Sequence, residues 1–187
     1  MLETAGIFMK HMSPRQGRRS PAAAVASVQP ASPAEMVKAI VAGGSGSRYV
    51  MFEALSQLER IGVVKEGLPA RLLSALAGDM GVPREMLYEW VGIPRSTANR
   101  KVMTDDALSQ DESERTLGLA RLVGQVQTVV AESGEPEGFD AARWTADWLQ
   151  EPNHALGGRA PGEFMDTADG RALVAGLIAQ MQSGAYA

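Results

Sequence analysis

Cysteine is absent from this chain of 187 residues, which excludes disulfides, cysteine-ligated zinc and thiol catalysis. Histidine is nearly absent. His11 and His154 are the only two, and His11 falls in a stretch that reads as disordered, so no metal pair is expected. Aromatic residues make up 5% against 45% hydrophobic residues, so the core must be built from Leu, Val, Ile, Met and Ala. That mix suits packed helices better than sheets, and no segment shows sustained alternation of period two. No apolar run approaches the roughly 20 residues that a membrane span needs. The basic N-terminus also lacks the compact apolar block of a secretory signal. The expectation is an all-α, cytoplasmic protein with no membrane partner.

Charge is spread unevenly along the chain. Residues 1–66 hold eight basic and five acidic side chains, residues 67–134 hold seven and nine, and residues 135–187 hold three and eight. A basic front and an acidic rear suit a protein whose two ends meet different partners. The pattern divides the chain into a tail and linker over 1–66, a helical domain over 67–134 and a second helical domain over 135–187. Met1 to about Pro33 reads as disordered, with Arg15, Arg18 and Arg19 among Pro, Ser and Ala. A short helix is predicted over Ala34–Val41. Gly43-Gly44-Ser45-Gly46-Ser47 lacks the Gly-Lys-Ser/Thr ending of a phosphate loop and reads as a flexible linker. A helix over Tyr49–Arg60 follows.

From Gly67 the spacing becomes regular. Leu73, Leu76, Ala77 and Met80 mark one helix that Gly81 ends, and Pro83 opens a second carrying Met86, Leu87, Trp90 and Val91. Gly92-Ile93 makes the turn into a third helix from Pro94 through Lys101. This is helix-turn-helix spacing, and its last helix is basic. Pro94, Arg95, Ser96, Thr97, Asn99, Arg100 and Lys101 are the candidate DNA-binding residues, with Ala98 pointing into the core. Arg can bridge guanine, Asn can bridge adenine, and Ser or Thr can hold phosphate. A long helix over Gln110–Ala131 follows, capped by Ser109, with Leu119, Leu122, Val123, Val126 and Val130 as its stripe. Ser133-Gly134-Glu135-Pro136 is expected to separate the two domains.

The rear third holds a helix over Phe139–Leu149, with Asp140 as a first-turn residue and Trp144 and Trp148 as a packed pair. A last helix over Ala172–Met181 carries Leu173, Val174, Leu177, Ile178 and Met181. Between them runs Pro152-Asn153-His154-Ala155-Leu156-Gly157-Gly158-Arg159-Ala160-Pro161, a connector of fixed shape rich in Gly and Pro. Catalysis by His154 with Asp166 would need a nucleophile at defined spacing, and none is present.

The order Trp148-Leu149, Pro152-Asn153, Ala155 to Gly158, Pro161, Asp166-Thr167, Gly170 and Gly184-Ala185-Tyr186 closely resembles the toxin-binding domain of Xre/MbcA/ParS-type antitoxins. Gly92-Ile93-Pro94, Thr97 and Glu112-Ser113-Glu114-Arg115 resemble the Cro/Xre-like helix-turn-helix domain of the same family. Tyr88, where the family has a small residue, and Ser96, where it favours arginine, are departures. Tyr88 is expected to widen the angle between the two helices, and Ser96 to remove one contact to DNA. The resemblance covers residues 67–187. It implies an antitoxin that binds a RES-domain toxin, which depletes NAD, and that represses its own operon by binding operator DNA as a homodimer. It implies no enzyme activity, no cofactor and no small-molecule substrate. The toxin-binding residues it suggests are Asn153, Leu156, Arg159, Glu163, Asp166, Thr167, Arg171 and Tyr186, the last on an arm that would enter the toxin's NAD pocket. A helix-turn-helix repressor whose rear domain only dimerises is the alternative.

Overall fold

The structure, a computed structural model, describes residues 32–134 and 138–182. Among them lie nine α-helices and no strand: α1 (Pro33–Ala42), α2 (Ser45–Ala54), α3 (Gln57–Glu66), α4 (Arg71–Met80), α5 (Arg84–Trp90), α6 (Arg95–Thr104), α7 (Gln110–Ser133), α8 (Ala141–Gln150) and α9 (Ala168–Gln182). The all-α class is the one expected from composition. Met1–Ala31, Glu135–Glu137 and Ser183–Ala187 lie outside the described residues, and with them the expected N-terminal tail, His11 and Tyr186.

Local chemistry sets most helix ends. Ser32, Ser56 and Ser109 each accept a bond from the backbone N–H three residues on, while Glu35, Glu59 and Glu112 reach back to the serine N–H. These capping boxes open α1, α3 and α7 by satisfying donors that a helix start leaves free. Asp140 caps α8 through the Arg143 N–H. Gly81, at φ +67°, stops α4 in the left-handed conformation.

Two expectations for the front of the chain are corrected. The glycine run is not a linker, because α2 begins at Ser45 directly after its N-cap Gly44. The single helix expected over Tyr49–Arg60 is two helices, since the capping box of Ser56 and Glu59 starts α3 afresh after Leu55. Residues 33–66 are therefore folded against the rest. Buried Tyr49 donates its hydroxyl to Asp79 Oδ2 at 2.6 Å, and Arg48 reaches the same carboxylate at 3.0 Å. Together they pin α2 to α4. α2 also lies so close to α7 that a Cβ on Gly124 would stand 2.2 Å from the Tyr49 carbonyl oxygen. Only glycine permits that approach.

α7 is the element on which the others gather. Leu119, Leu122, Val123 and Val126 are buried along it, as the stripe predicts, while Val130, its fifth member, is half-buried. α2, α3, α8 and α9 all pack on it. α4 and α5 add Leu72, Leu73, Leu76, Leu87, Tyr88 and Val91 to the same continuous core. The described residues form one compact unit, without the break expected near Ser133.

Candidate functional site

Two surfaces carry the residues singled out in the sequence. The first is the α5-turn-α6 pair. Gly92, at φ +61°, turns the chain between the helices, and buried Ile93 and Ala98 fill the angle beneath them. Arg115 of α7 clamps this turn from below, its Nε donating to the Val91 carbonyl at 2.7 Å and its Nη2 to the Gly92 carbonyl at 3.5 Å.

Pro94, Arg95, Ser96 and Arg100 are exposed on the outer side of α6, with Thr97 and Asn99 half-buried beside them. Each of the three strongest hydrogen-bonding groups there is engaged from within the protein. Arg95 pairs with Glu85 at 3.1 Å, Arg100 with Asp106 at 3.6 Å, and the Asn99 Oδ1 accepts from the Tyr88 hydroxyl at 3.2 Å. Tyr88 has its ring in the core and its hydroxyl at the α5–α6 seam. Burial pushes its pKa up. The departure at this position thus ties the two helices together.

Lys101 does not lie on the exposed face. Its ammonium sits 2.5 Å from Glu112 Oε2 and also donates to the Ala107 carbonyl at 3.3 Å, with both partners of the ion pair nearly buried. It joins α6 to α7. Burial raises the Glu112 pKa, but the Lys101 and Ser109 hydrogen bonds outweigh it and the net direction is down. A carboxyl depressed in the folded state stabilises above the unfolded pKa, and that stability is lost as pH falls through the folded pKa. Removing one partner of a nearly buried pair leaves the other charge uncompensated. Lys101→Met is expected to cost roughly 2 kcal/mol at neutral pH. Thermal melts at pH 7 and pH 4 check this: the gap from the wild type should narrow at the lower pH.

Arg84 was missed in the sequence. It is exposed at the first position of α5, and its charge acts on the Tyr88 hydroxyl. A cation opposes the helix dipole there, so its place is unfavourable for the helix alone, and that was the available signal.

The second surface is the connector and the head of α9. Asn153 and Leu156 build the connector from inside. The Asn153 side chain accepts from the Ala155 N–H at 2.9 Å, its backbone bridges to Arg159, and Leu156 is buried. Gly157 and Gly158 complete the turn at positive φ with open space around them. Arg159 and Glu163 are exposed and paired at 3.0 Å, and the Arg159 guanidinium lies 4.4 Å from the centre of the Phe164 ring. The Ala160 N–H and then Arg159 hold the Glu163 pKa below the usual carboxylate range.

Asp166 and Thr167 are exposed beyond the short turn Pro161–Phe164, and the Thr167 hydroxyl accepts from the Gly170 N–H at 3.1 Å to start α9. α9 begins four residues earlier than the apolar pattern suggested, because this polar cap lies outside the stripe. Arg171 faces inward, pairing with Glu114 at 2.9 Å and with the Met165 carbonyl at 3.3 Å. Burial lowers its pKa against the pull of Glu114. It anchors α9 to α7. Leu173, one of the apolar residues that the last helix was expected to carry, is 47% exposed on α9. Arg159, Glu163, Asp166, Thr167 and Leu173 are thus exposed residues of the connector and α9.

The two surfaces meet at the turn: a Cβ on Gly92 would stand 3.1 Å from the Asp166 Cβ. Among the described residues no group of His, Asp and Glu could hold a metal ion. No helix there is long and apolar enough to cross a membrane.

Comparison with known proteins matches both surfaces. A family model described as an antitoxin Xre-like helix-turn-helix domain covers residues 59–121, and one described as the antitoxin Xre/MbcA/ParS C-terminal toxin-binding domain covers residues 137–184. The chain is 41% identical over 149 residues to the Prs ADP-ribosylating antitoxin of Sphingobium sp. (strain YBL2), spanning 78% of this chain and 94% of that protein. It is also 24% identical over 123 residues to the antitoxin Xre of Yersinia enterocolitica serotype O:8 / biotype 1B (strain NCTC 13174 / 8081), spanning 66% of this chain and 78% of that protein.

Proposed function

We propose, from the premise that this chain belongs to the Xre/MbcA/ParS family of antitoxins and is not itself an enzyme, that it silences a RES-domain toxin that consumes NAD and represses its own operon. The observation that carries the first half is the open face of the connector and α9. Its loop is fixed by Asn153 and by the left-handed glycines, so its shape is set before a partner arrives. Arg159, Glu163 and Asp166 offer charge, and exposed Leu173 offers an apolar contact on the same helix that Thr167 starts. The acidic balance of residues 135–187 suits a basic pocket that normally takes a dinucleotide. In this reading the terminal arm with Tyr186 enters that pocket.

The Sphingobium relative's name adds a second fate for NAD. ADP-ribosylation breaks the same nicotinamide–ribose bond as NAD hydrolysis, but the ADP-ribosyl group goes to a protein acceptor instead of water. Both fit one inhibitor of one NAD pocket.

The second half rests on α6, which offers Arg95, Ser96 and Arg100 on an exposed helix in helix-turn-helix register. A homodimer would meet two half-sites, and the cytoplasm is where operator and toxin would both be found.

The test is co-expression with the protein encoded next door, with the NAD pool and label transferred from NAD to protein both measured. A stable complex that restores NAD, or that stops label transfer, supports the reading and tells the two chemistries apart. Binding to the upstream duplex with no toxin partner would overturn it in favour of a plain repressor whose rear domain only dimerises.

A further inference from the structure

The recognition helix carries its own competitors for DNA. Arg95 and Arg100 are the two cations on the exposed side of α6, and each is paired with a carboxylate from outside the helix. Glu85 comes from α5, and Asp106 from the turn after left-handed Asp105. The atoms involved decide what these pairs do. Glu85 Oε1 stands 3.1 Å from Arg95 Nη2, and Asp106 Oδ2 stands 3.6 Å from Arg100 Nη1, so each carboxylate lies beside a terminal nitrogen of the guanidinium fork. That end reads a guanine or grips a phosphate. Elsewhere in this protein Arg143 and Arg159 are paired at Nε, whereas Arg48, Arg71 and Arg171 are paired at a terminal nitrogen, as Arg95 and Arg100 are. A carboxylate beside a terminal nitrogen neutralises charge where a base or phosphate would be met.

We propose that Glu85 and Asp106 hold down the DNA affinity of this chain by pairing with the terminal nitrogens of Arg95 and Arg100, an inference that rests on the DNA-binding reading above. The pairs are open to solvent, with side chains 46% to 70% exposed, so each is weak enough to exchange for a phosphate. Once exchanged, each carboxylate stays near the duplex and repels it. An arginine already neutralised inside the protein also displaces less counterion when it meets a phosphate. Affinity and salt dependence should therefore both be lower than the two arginines alone would give. Arg84, exposed and without an ion pair among the described residues, is left as the uncompensated cation of this face.

The test uses the full chain, a labelled duplex from directly upstream of its own reading frame, and a scrambled duplex of equal length. Binding is measured across a salt series for the wild type, Glu85→Gln, Asp106→Asn and the double variant. Each single change is expected to tighten binding about threefold and the double change about tenfold. The slope of log affinity against log salt should steepen by about one to two units in the double variant. Thermal melts confirm that the variants fold, as exposed isosteric changes should. A double variant with wild-type affinity and slope overturns the proposal while leaving DNA binding intact. Weaker binding overturns it too, because the carboxylates would then be aiming the arginines. If neither the wild type nor any variant binds either duplex, the DNA-binding reading falls and takes this proposal with it.

Discussion

Gly170→Ala is expected to cost the protein its hold on the toxin while leaving the helix-turn-helix folded. A Cβ at this position would stand 1.9 Å from the Phe164 carbonyl oxygen and 2.7 Å from Thr167 Oγ1. The first is backbone and the second is a short, bonded side chain, so neither can swing aside. The turn Pro161–Phe164 would have to part from the head of α9. That displaces Asp166 and Thr167 on the open face and pulls on the Arg171 anchor to Glu114. Overpacking of this kind costs about 1–3 kcal/mol of stability. In a protein this size that is a drop of several degrees in Tm. Toxin affinity should fall further, by about a hundredfold, because several contacts at the interface move together. Calorimetric titration against the toxin and a melt on the same sample give both numbers. Wild-type affinity in the variant would show that the head of α9 is not part of the docking face.

Residues 135–187 expressed alone are expected to be unfolded. The sequence suggested an independent domain there, cut off at Ser133-Gly134-Glu135-Pro136. In the structure α8 and α9 each pack on α7, and the short turn Pro161–Phe164 joins them. Leu149, Met165, Val174, Leu177 and Ile178 are all buried in a core that also holds Leu119, Leu122, Val123 and Val126 of α7. Gln125 of α7 donates to the Ala175 carbonyl at 3.0 Å, and Glu114 holds Arg171. A fragment without α7 loses these partners and is too short to bury an equivalent core of its own. Circular dichroism and limited proteolysis check this. A helical, protease-resistant fragment would overturn it, whereas residues 32–187 should fold normally.

What the sequence disclosed and what it hid separate by distance along the chain. The cap at Ser109, the stop at Gly81 and the turn at Gly92 are local events, and they were legible, whereas Asp140, read as a first-turn residue, is the N-cap of α8. The residues of the connector were legible too, because their order is itself the pattern. The contacts that decide roles were not. Lys101 was read as a DNA contact because its helix is basic, yet Glu112 lies eleven residues on and claims it. Leu173 matched the apolar period but falls at the margin of the stripe, facing out. The front helices were read as a tail because glycines interrupt them. Their hold on α7 runs through Gly124, seventy-five residues beyond Tyr49, and no local pattern announces such a contact.

α7 has 24 residues, which at 1.5 Å per residue makes a rod about 36 Å long. Arg115 fixes the reading turn near one end, and α9 lies along its flank. Without a joint between them, a bound duplex and a bound toxin would keep one fixed offset and angle. Where each toxin sits around the duplex would then be dictated by the operator. Moving two half-sites apart by about five base pairs carries one copy roughly half a turn around the helix axis, from the same side of the DNA to the opposite one. Whether two toxins crowd each other or pass unhindered would be written in the spacing of the DNA.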